Sequence, residues 1–345
     1  MNHILVIHRG SLGDFLLLAP ALALLRRKFP QARIEGLGRT EIMALLCPGI
    51  LDSIASAERA SLVPFFQASP DLPHREAEFF SSFDTVLAYI ADPERNFEQN
   101  LERLGIKNLI VRPPFPPAGE RIHVSKYLLS TIRPLLGQRQ ELAAAEGQGQ
   151  NGRAELGPCT FLRFTEEEDR QAADLLRLAL SPEKPILAIH AGSGSERKCW
   201  PPERFGMLAR RLAEEKDCKI ALVLGPADER LVMRMSVLRQ ELGCVLAHNL
   251  PLRLLACVLS KCSAYIGNDS GVTHLAAATD IPTLAIFGPT DPAIWAPLGS
   301  NIKIIAANAK CSPCTRETMW QCSRQTCLEN IALQDVLLCL QKYIT

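Results

Sequence analysis

Apolar residues in this chain fall into short unbroken runs that alternate with longer amphipathic stretches. In the first half, the runs predict strands at His3–His8, Ala32–Leu37, Thr85–Ile90 and Asn108–Val111. A second series predicts a helix near Glu166–Leu180, then strands at Pro185–His190, Lys219–Leu224, Ala264–Ile266, Thr283–Phe287 and Lys303–Ala306. Runs without polar residues are typical of strands buried on both faces, as in parallel sheets. Strands alternating with helices predict an α/β fold built on parallel sheets.

The two series are separated by a stretch at 138–158 that is rich in Gln, Gly, Ala and Glu and lacks apolar periodicity. Its composition predicts a flexible loop. A chain of 345 residues is about twice the usual size of a single core. We therefore expect two domains, 1–165 and 166–345, with an active site in the cleft between them.

An apolar run at Phe15–Leu25 imitates a signal peptide. Asp14 opens the run, Pro20 interrupts it, and Arg26–Lys28 closes it with positive charge where a signal would end in small residues. The run is also shorter than the roughly 20 residues that cross a bilayer. We interpret it as a buried helix and expect no transmembrane segment.

Composition narrows the class of protein. Hydrophobic residues make up 47% and charged residues 22%, and 38 Lys and Arg balance 37 Asp and Glu. These values exclude a disordered chain, and no overall positive field favours nucleic acid as a partner. The twelve cysteines are mostly scattered singly through apolar segments, which favours reduced thiols in a cytoplasm.

The first candidate for chemistry is the turn from Ile7 to Asp14, which joins the first strand to the first helix. Open α/β sheets bind ligands at such turns, where a helix N-terminus offers unpaired N–H groups. Asp14 could be the helix N-cap or a carboxylate that accepts a proton from a hydroxyl. Arg9 could clamp an anion or be a surface charge. The spacing Gly10-x-x-Gly13 is not the dinucleotide fingerprint.

A second candidate follows the strand at Pro185–His190 and contains Ser193, Gly194, Ser195 and Lys198. Small residues directly after a strand let backbone N–H groups approach a phosphate, and the lysine supplies a counter-charge. The alternative is a Gly/Ser turn before a helix that begins with proline. The Walker spacing is absent.

Two further strands end in polar turns. After Lys219–Leu224, Asp228 and Glu229 could stabilise a helix dipole or bind ribose hydroxyls. After Ala264–Ile266, the next turn brings polar side chains to one helix start, where they could cap the helix or bind an anion. These residues are Asp269, Ser270, Gly271, Thr273 and His274.

Other chemistries have less support. The chain has no Gly-x-Ser-x-Gly elbow and no His-Glu-x-x-His motif, so serine and zinc hydrolysis are disfavoured. Cys311, Cys314, Cys322 and Cys327 have the spacing C-x2-C-x7-C-x4-C. That spacing fits a structural zinc or cluster site, although the second pair is not CxxC. A structural or disulfide-capable loop is the alternative.

Together these motifs resemble glycosyltransferase family 9, the ADP-heptose:lipopolysaccharide heptosyltransferases. The resemblance is carried by Gly13-Asp14 with Pro20-Ala-Leu, His190-Ala-Gly-Ser-Gly with Lys198-x-Trp-Pro, Gly225-Pro-Ala-Asp-Glu, Gly267-Asn-Asp-Ser-Gly-x-Thr-His-Leu-Ala, Phe287-Gly-Pro-Thr-Asp-Pro and the Cys-Ser-Pro-Cys segment. It implies the GT-B arrangement of two facing Rossmann-like domains. The first would bind the acceptor and the second the nucleotide sugar, with a terminal helix that packs back on the first.

The resemblance also implies residue roles in an inverting transfer of heptose from ADP-heptose to Kdo or heptose in the inner core of lipopolysaccharide. Asp14 would be the general base, and Lys198 would neutralise the departing diphosphate. The remaining implied contacts are Ser193, Gly194, Ser195, Ser270, Gly271, Thr273 and His274 for phosphate, Asp228 or Glu229 for ribose, Asp269 for sugar hydroxyls or loop orientation, and Arg9, Ser11 and Gly13 on the acceptor side. The family needs no cofactor and is largely metal-independent, so the cysteine segment is expected to be structural.

The implied acceptor is lipid-linked, so we expect a cytoplasmic protein that works at the inner leaflet of the inner membrane without spanning it. Arg26–Lys28 and Arg112 could contact headgroups or acceptor phosphates, or could form a solvated basic face. Alternatives are a GT-B transferase for another nucleotide sugar and a non-catalytic nucleotide-sugar-binding or zinc-organised protein.

Overall fold

The computed structural model describes residues 1–68, 70–137, 147–148, 154–155, 161–177, 184–216, 218–307 and 309–343. Most of the loop predicted at 138–158 lies outside the described residues. The chain divides into two compact units, with described residues up to 154 and 161–163 in the first, and 155 and those from 164 onward in the second. The domain boundary predicted at 165/166 stays a prediction, as do acceptor binding by the first domain and nucleotide-sugar binding by the second.

The first unit is built on a five-stranded parallel sheet with the order β3-β2-β1-β4-β5. Its strands are β1 (His3–His8), β2 (Arg33–Gly38), β3 (Ser53–Ser56), β4 (Thr85–Tyr89) and β5 (Asn108–Arg112). Its helices are α1 (Leu12–Lys28), α2 (Thr40–Met43), α3 (His74–Ser81), α4 (Asn96–Arg103), α5 (Val124–Thr131) and α6 (Arg133–Leu136), with 3-10 turns at Ala44–Leu46 and Ala60–Phe66. Two-residue strands β6 (Gly147–Gln148) and β7 (Ala154–Glu155) pair separately.

The unbroken apolar run of β1 lies at the centre of this sheet, where both of its faces are covered. Helix α1 is buried from Phe15 to Leu22, which confirms the buried helix predicted there. Arg26 does not form part of an open basic face, because its guanidinium donates to Ile50 O, Ala32 O and Asp52 Oδ2. None of the helices that the structure describes has the length and hydropathy to span a membrane.

The second unit is built on a six-stranded parallel sheet with the order β10-β9-β8-β11-β12-β13. Its strands are β8 (Ile186–His190), β9 (Lys219–Leu224), β10 (Val245–His248), β11 (Ala264–Asn268), β12 (Thr283–Phe287) and β13 (Ile302–Ala306). Its helices are α7 (Glu166–Arg177), α8 (Pro202–Glu215), α9 (Glu229–Leu242), α10 (Leu252–Ser260), α11 (Gly271–Ala278), α12 (Pro292–Trp295), α13 (Arg316–Gln321), α14 (Thr326–Glu329) and α15 (Leu333–Leu340), with 3-10 turns at Glu196–Lys198, Pro226–Asp228 and Gln341–Tyr343.

The core of this unit forms around Trp200, which is fully buried and meets Phe205 edge to face at 5.0 Å. The terminal helix α15 contributes Val336, Leu337 and Leu340 to the same core. Its apolar face is therefore used within the second unit, beside α8.

The α/β class with parallel sheets is confirmed, and the predicted strands are present within one or two residues of their expected ends. Two strands of the large sheets were missed, Ser53–Ser56 and Val245–His248. Both are four residues long and lie at a sheet edge, so neither needs the unbroken apolar run that marks a central strand. In each sheet the strand order reverses beside the first strand of the series, at β1 and at β8. Ligands bind at such switch points in open α/β sheets.

Candidate active site

The turn after β1 displays Asp14 at the switch point of the first sheet. Helix α1 begins at Leu12 with Ser11 as its N-cap, so the expectation that Asp14 might be the N-cap is wrong. Asp14 lies at the third helical position, where its Oδ2 accepts the Ser11 N–H at 2.9 Å. This is the acidic half of a capping box, and it orients the carboxylate while leaving the residue partly exposed.

Gly10 and His8 shape this turn. A Cβ on Gly10 would lie 2.6 Å from His8 Cε1 and 3.0 Å from the Cβ of Asp14, so only glycine fits between them. The Gly10 N–H donates to His8 Nδ1 at 3.3 Å, which places the ring proton on Nε2. Burial lowers the pKa of His8 to about 4, and its Nε2 has no hydrogen-bond partner among the described residues. The His8 ring is therefore neutral near pH 7.

A cavity of about 490 Å³ opens beside this turn within the first unit. Its wall is largely apolar and includes Phe66 and Phe80, but Arg9 and Arg59 also line it. Nε and Nη2 of Arg59 are buried and meet no acceptor in the part of the chain that the structure describes. The guanidinium lies over Phe79 at 5.5 Å from the ring centroid. Arg59 as a whole is half-buried and interacts electrostatically with Glu76, but its two buried, unbonded nitrogens are donors that suit an anionic ligand.

Of the three predicted acceptor-side residues, Arg9 and Ser11 are exposed and Gly13 is buried in the first turn of α1. Sequence reasoning missed Arg59. It follows an edge strand that was itself missed, and nothing in the flanking Glu58 and Ala60 marks it as part of a site.

In the second unit, the predicted phosphate loop (residues 191–198) meets the turn after β11. Lys198 Nζ pairs with Asp269 Oδ2 at 2.8 Å, and Thr290 Oγ1 donates to the same oxygen at 2.7 Å. Ser193 Oγ donates to the Asp269 carbonyl at 2.8 Å. The lysine side chain is 27% exposed and the aspartate 7% exposed. We call Lys198, Asp269 and Thr290 the lysine cluster; it holds the lysine ammonium, paired with the Asp269 carboxylate, beside the N-terminus of α11.

Asn268, the last residue of β11, holds the phosphate loop by hydrogen bonds to its backbone. Its Nδ2 donates to Ala191 O at 2.9 Å and to Gly192 O at 3.2 Å, and its Oδ1 accepts the Trp200 N–H at 2.8 Å. Glycine is required at position 192, because a Cβ there would lie 1.7 Å from Asp228 Oδ1. A Cβ on Gly194 would meet no atom within 4 Å, so the loop is open where a phosphate would approach.

The structure separates the predicted nucleotide-sugar contacts into exposed and buried groups. Glu229 is exposed, whereas Asp228 is buried and its Oδ2 accepts from the Gly225 N–H at 2.7 Å and from His190 Nε2 at 3.0 Å. Burial would raise the pKa of Asp228, but these hydrogen bonds outweigh it and hold the pKa below its usual value. Glu229 is thus the freer of the two candidates for a ribose.

The turn at the start of α11 is divided in the same way. Ser270 caps the helix, and Gly271 is partly exposed. The Thr273 side chain is 0% exposed and its hydroxyl donates to Asn268 O, so the expectation that Thr273 contacts phosphate is wrong. His274 is also buried. Ser195 precedes the 3-10 turn that carries Lys198 and is partly exposed, like Ser193.

The cysteine segment forms a wall of this region. Cys314 N–H donates to Pro289 O at 2.7 Å, and Arg197 Nη1 donates to Cys322 O at 2.6 Å. All four cysteines are free thiols, and burial raises the pKa of Cys327 to about 11. Among the residues that the structure describes, no group of three His, Cys, Asp or Glu side chains is placed to hold a metal ion.

A cavity of about 280 Å³ lies between the cysteine segment and the phosphate loop, lined by Ser193, Asp228 and Leu328 among others.

Comparison with known proteins identifies the second unit. Residues 156–323 match the model of glycosyltransferase family 9 (heptosyltransferase). A lipopolysaccharide heptosyltransferase 1 of Pseudomonas aeruginosa is 33% identical over 45% of this chain, and the chain spans only 42% of that relative. A protein of Haemophilus influenzae, provisionally assigned as a glycosyltransferase, is 23% identical over 98% of this chain and 95% of its own length.

Solved structures share the fold over the whole chain. A glycosyl transferase family 9 protein of Veillonella parvula has a TM-score of 0.74 at 17% identity, covering 99% of this chain and 97% of its own. The E. coli ADP-heptose lipopolysaccharide heptosyltransferase II has a TM-score of 0.70 at 18% identity over 100% and 98%. E. coli heptosyltransferase WaaC, solved with ADP-2-deoxy-2-fluoro heptose, has a TM-score of 0.62 at 17% identity over 99% of each chain. The chain is therefore similar to glycosyltransferase family 9, the heptosyltransferases, over residues 156–323.

Proposed function

We propose that the protein is an inverting transferase that moves a heptose from ADP-heptose to a sugar hydroxyl of the lipopolysaccharide inner core. The observation that carries the proposal is the lysine cluster beside the N-terminus of α11, at the switch point of the second sheet. A lysine charge and a helix N-terminus there suit a departing diphosphate. The match to the family model and the nucleotide sugar in the E. coli WaaC structure support ADP-heptose as the substrate.

In this reaction the Asp14 carboxylate takes the proton of the acceptor hydroxyl. The hydroxyl oxygen attacks the anomeric carbon while the bond from that carbon to the diphosphate oxygen breaks, and ADP leaves with the electron pair. The capping hydrogen bond to Asp14 uses Oδ2, so Oδ1 is the oxygen that receives the proton. Lys198 neutralises the charge that grows on the diphosphate, and Glu229 binds the ribose hydroxyls.

The acceptor would bind in the first unit, in the cavity lined by Arg9 and Arg59. Kdo is a carboxylate sugar and the inner core is acidic, so two guanidinium groups match the charge of this substrate. The phenylalanine rings of the wall offer apolar surface to the sugar ring faces. A lipid-linked acceptor further implies work at the inner surface of the inner membrane, as a cytoplasmic protein.

Mass spectrometry of the products tests the proposal directly. The protein is incubated with ADP-heptose and a panel of truncated core acceptors ending in Kdo or in heptose, with UDP- and GDP-sugars in parallel. We expect a mass increase of one heptose with ADP-heptose only. Turnover with the other nucleotide sugars alone would favour a different GT-B transferase, and absence of turnover with every pair would favour a binding protein.

The variant Asp14→Asn tests the base. Asparagine retains an oxygen for the Ser11 N–H but cannot take a proton, so we expect kcat to fall by about 10²–10⁴-fold with ADP-heptose binding retained. Asp71→Asn, at an exposed carboxylate of the same unit, is the matched control. Turnover of Asp14→Asn close to wild type would exclude Asp14 as the base.

A further inference from the structure

A network of buried polar side chains joins the carboxyl ends of β8, β9 and β11. His190 lies at its centre, with Nε2 at 3.0 Å from Asp228 Oδ2 and Nδ1 at 3.3 Å from Ser270 Oγ. Ser270 Oγ lies 3.2 Å from Thr273 Oγ1, which lies 3.0 Å from the Tyr265 hydroxyl. All five side chains are buried. A buried polar network is costly unless every donor and acceptor in it has a hydrogen-bond partner.

The proton positions in this network can be assigned. The Asp228 carboxylate can only accept, so His190 donates from Nε2; with the ring carrying this single proton, Nδ1 accepts the Ser270 hydroxyl proton. At the other end, Thr273 donates to Asn268 O and therefore accepts from Tyr265. Burial raises the pKa of Tyr265, which keeps it a donor. Each polar hydrogen then has one acceptor, and the contact between Ser270 Oγ and Thr273 Oγ1 carries no hydrogen.

This assignment fixes the rotamer of Ser270, the cap of α11. With its hydrogen directed to His190, the Ser270 oxygen presents its lone pair to the Thr273 N–H, at 3.4 Å. The first backbone N–H groups of α11, at Gly271 and Val272, lack partners within the helix and belong to partly exposed residues. Their direction depends on how the cap is held.

We infer that His190 is a positioning residue: it holds Ser270, and through Ser270 the first turn of α11, against the turn that carries Asp228 and Glu229. The inference rests on the proposed nucleotide-sugar site. It assigns Ser270 to support of the helix start, so that backbone N–H groups of α11, and not the Ser270 hydroxyl, face the diphosphate. The sequence does not show this role, because His190 appears there only as the end of a strand and the start of the His190-Ala-Gly-Ser-Gly motif, with no contact of its own.

Two substitutions of His190 separate its two hydrogen bonds. In His190→Asn, the amide oxygen takes the place of Nδ1 and can accept from Ser270, while the bond to Asp228 is lost. In His190→Gln, the amide nitrogen takes the place of Nε2 and can donate to Asp228, while the bond to Ser270 is lost. We expect His190→Asn to keep its ADP affinity within about threefold of wild type and His190→Gln to weaken it about tenfold, measured by calorimetry.

A purely structural role for His190 would lower the melting temperature of both variants without separating their ADP affinities. The inference would therefore be overturned if His190→Asn and His190→Gln bound ADP equally well. The proposed function would still stand in that case, provided that wild type binds ADP and Lys198→Ala binds it more weakly. Wild type that fails to bind ADP would overturn the proposed function and this role with it.

Nitrogen NMR of the full chain labelled with ¹⁵N-histidine tests the assignment without relying on a variant of His190 that folds. We expect the neutral Nε2–H form for His190, with Nδ1 shifting towards the value of a free imine nitrogen in Ser270→Ala. The Nδ1–H form, a charged ring, or an unchanged Nδ1 resonance in Ser270→Ala would each overturn the inference.

Discussion

In the second unit the polar side chains around the phosphate loop bond to one another, whereas around Asp14 in the first unit several polar atoms have no partner among the described residues. Lys198, Asp269 and Thr290 form one cluster, and Asn268 uses both of its amide atoms. By contrast, His8 Nε2 and two nitrogens of Arg59 are buried without acceptors. The polar groups around the phosphate loop are thus paired without a ligand, whereas those in the first unit would gain partners only if a ligand bound.

The physical reason lies in what each region would bind under the proposed function. A diphosphate is the same in every turnover, so its contacts can be built from backbone and short side chains fixed by the core. An anionic sugar acceptor brings its own charge, so it would supply acceptors for the two unbonded nitrogens of Arg59 in the first unit. The following predictions test this contrast, from the largest expected effect to the smallest.

Removing the lysine charge should have the largest effect. Lys198→Ala leaves Asp269 held by Thr290 but leaves the diphosphate charge without its cation, so we expect kcat with ADP-heptose to fall by about 10²–10³-fold. The ADP affinity should fall as well. Lys303→Ala, at an exposed lysine of the same unit, is the control. Unchanged turnover and unchanged ADP affinity would remove Lys198 from the site.

The buried neutral His8 should make the folded protein sensitive to acid. Its pKa is about 4 in the folded protein against an unperturbed 6.5, so between these values the unfolded chain binds a proton that the folded chain does not. Stability should therefore fall as the pH drops from about 6.5 to 4, by about 3 kcal/mol in all.

The variant His8→Asn isolates this contribution, because asparagine can still accept the Gly10 N–H but does not titrate. We expect its unfolding midpoint in urea to depend less on pH over this range than that of wild type. Equal slopes in the two proteins would show that the His8 ring takes up a proton in the folded state.

Arg59 should matter for acceptor binding much more than for stability. In Arg59→Met the side chain can still pack on Phe79, but an anionic acceptor loses its cation. We expect the acceptor KM to rise about 10–100-fold, while the melting temperature changes little, because no hydrogen bond to the two buried nitrogens is lost and only the charge interaction with Glu76 is removed.

Arg75→Ala, at an exposed arginine, is the control for Arg59 and should change neither quantity. A lower melting temperature of Arg59→Met with an unchanged acceptor KM would make Arg59 a structural residue. The unsatisfied groups of the first unit would then need another explanation.

The smallest effect is expected at Thr290, because Asp269 Oδ2 also accepts a hydrogen bond from Lys198. Thr290→Val removes one of two bonds to Asp269 Oδ2 and keeps the shape of the side chain, so we expect kcat/KM for ADP-heptose to fall about three- to tenfold. Thr290→Ser keeps the hydroxyl and should restore most of this loss. A loss in Thr290→Ser equal to that in Thr290→Val would attribute the effect to packing.

The contrast between the units also explains what the sequence could predict. Central strands such as β1 and β8 are marked by apolar runs, and Lys198 and Asp269 lie in turns after such strands, where small and polar residues stand out. The edge strands β3 and β10 have one open side and no such run. Arg59 follows β3 and was missed with it, and the role of Asn268 as the support of the phosphate loop depends on contacts 68 to 77 residues away.

Burial was the other property that sequence did not reveal. Asp228 and Glu229 are neighbours of similar chemistry, yet one is bonded to His190 and the other is exposed. Ser270 and Thr273 were likewise grouped with the ligand contacts because they share a turn with Asp269. Only the helix geometry distinguishes the side chains that line a site from those that support it.

The three hydrogen bonds of Asn268 have a consequence for the timing of ligand capture. Because they join the phosphate loop to β11 and to the Trp200 backbone, the loop becomes ordered when the sheet forms and contributes little conformational entropy that binding must remove. A nucleotide sugar meeting this surface would associate at a rate set by diffusion and orientation, without waiting for the loop to refold around each new molecule.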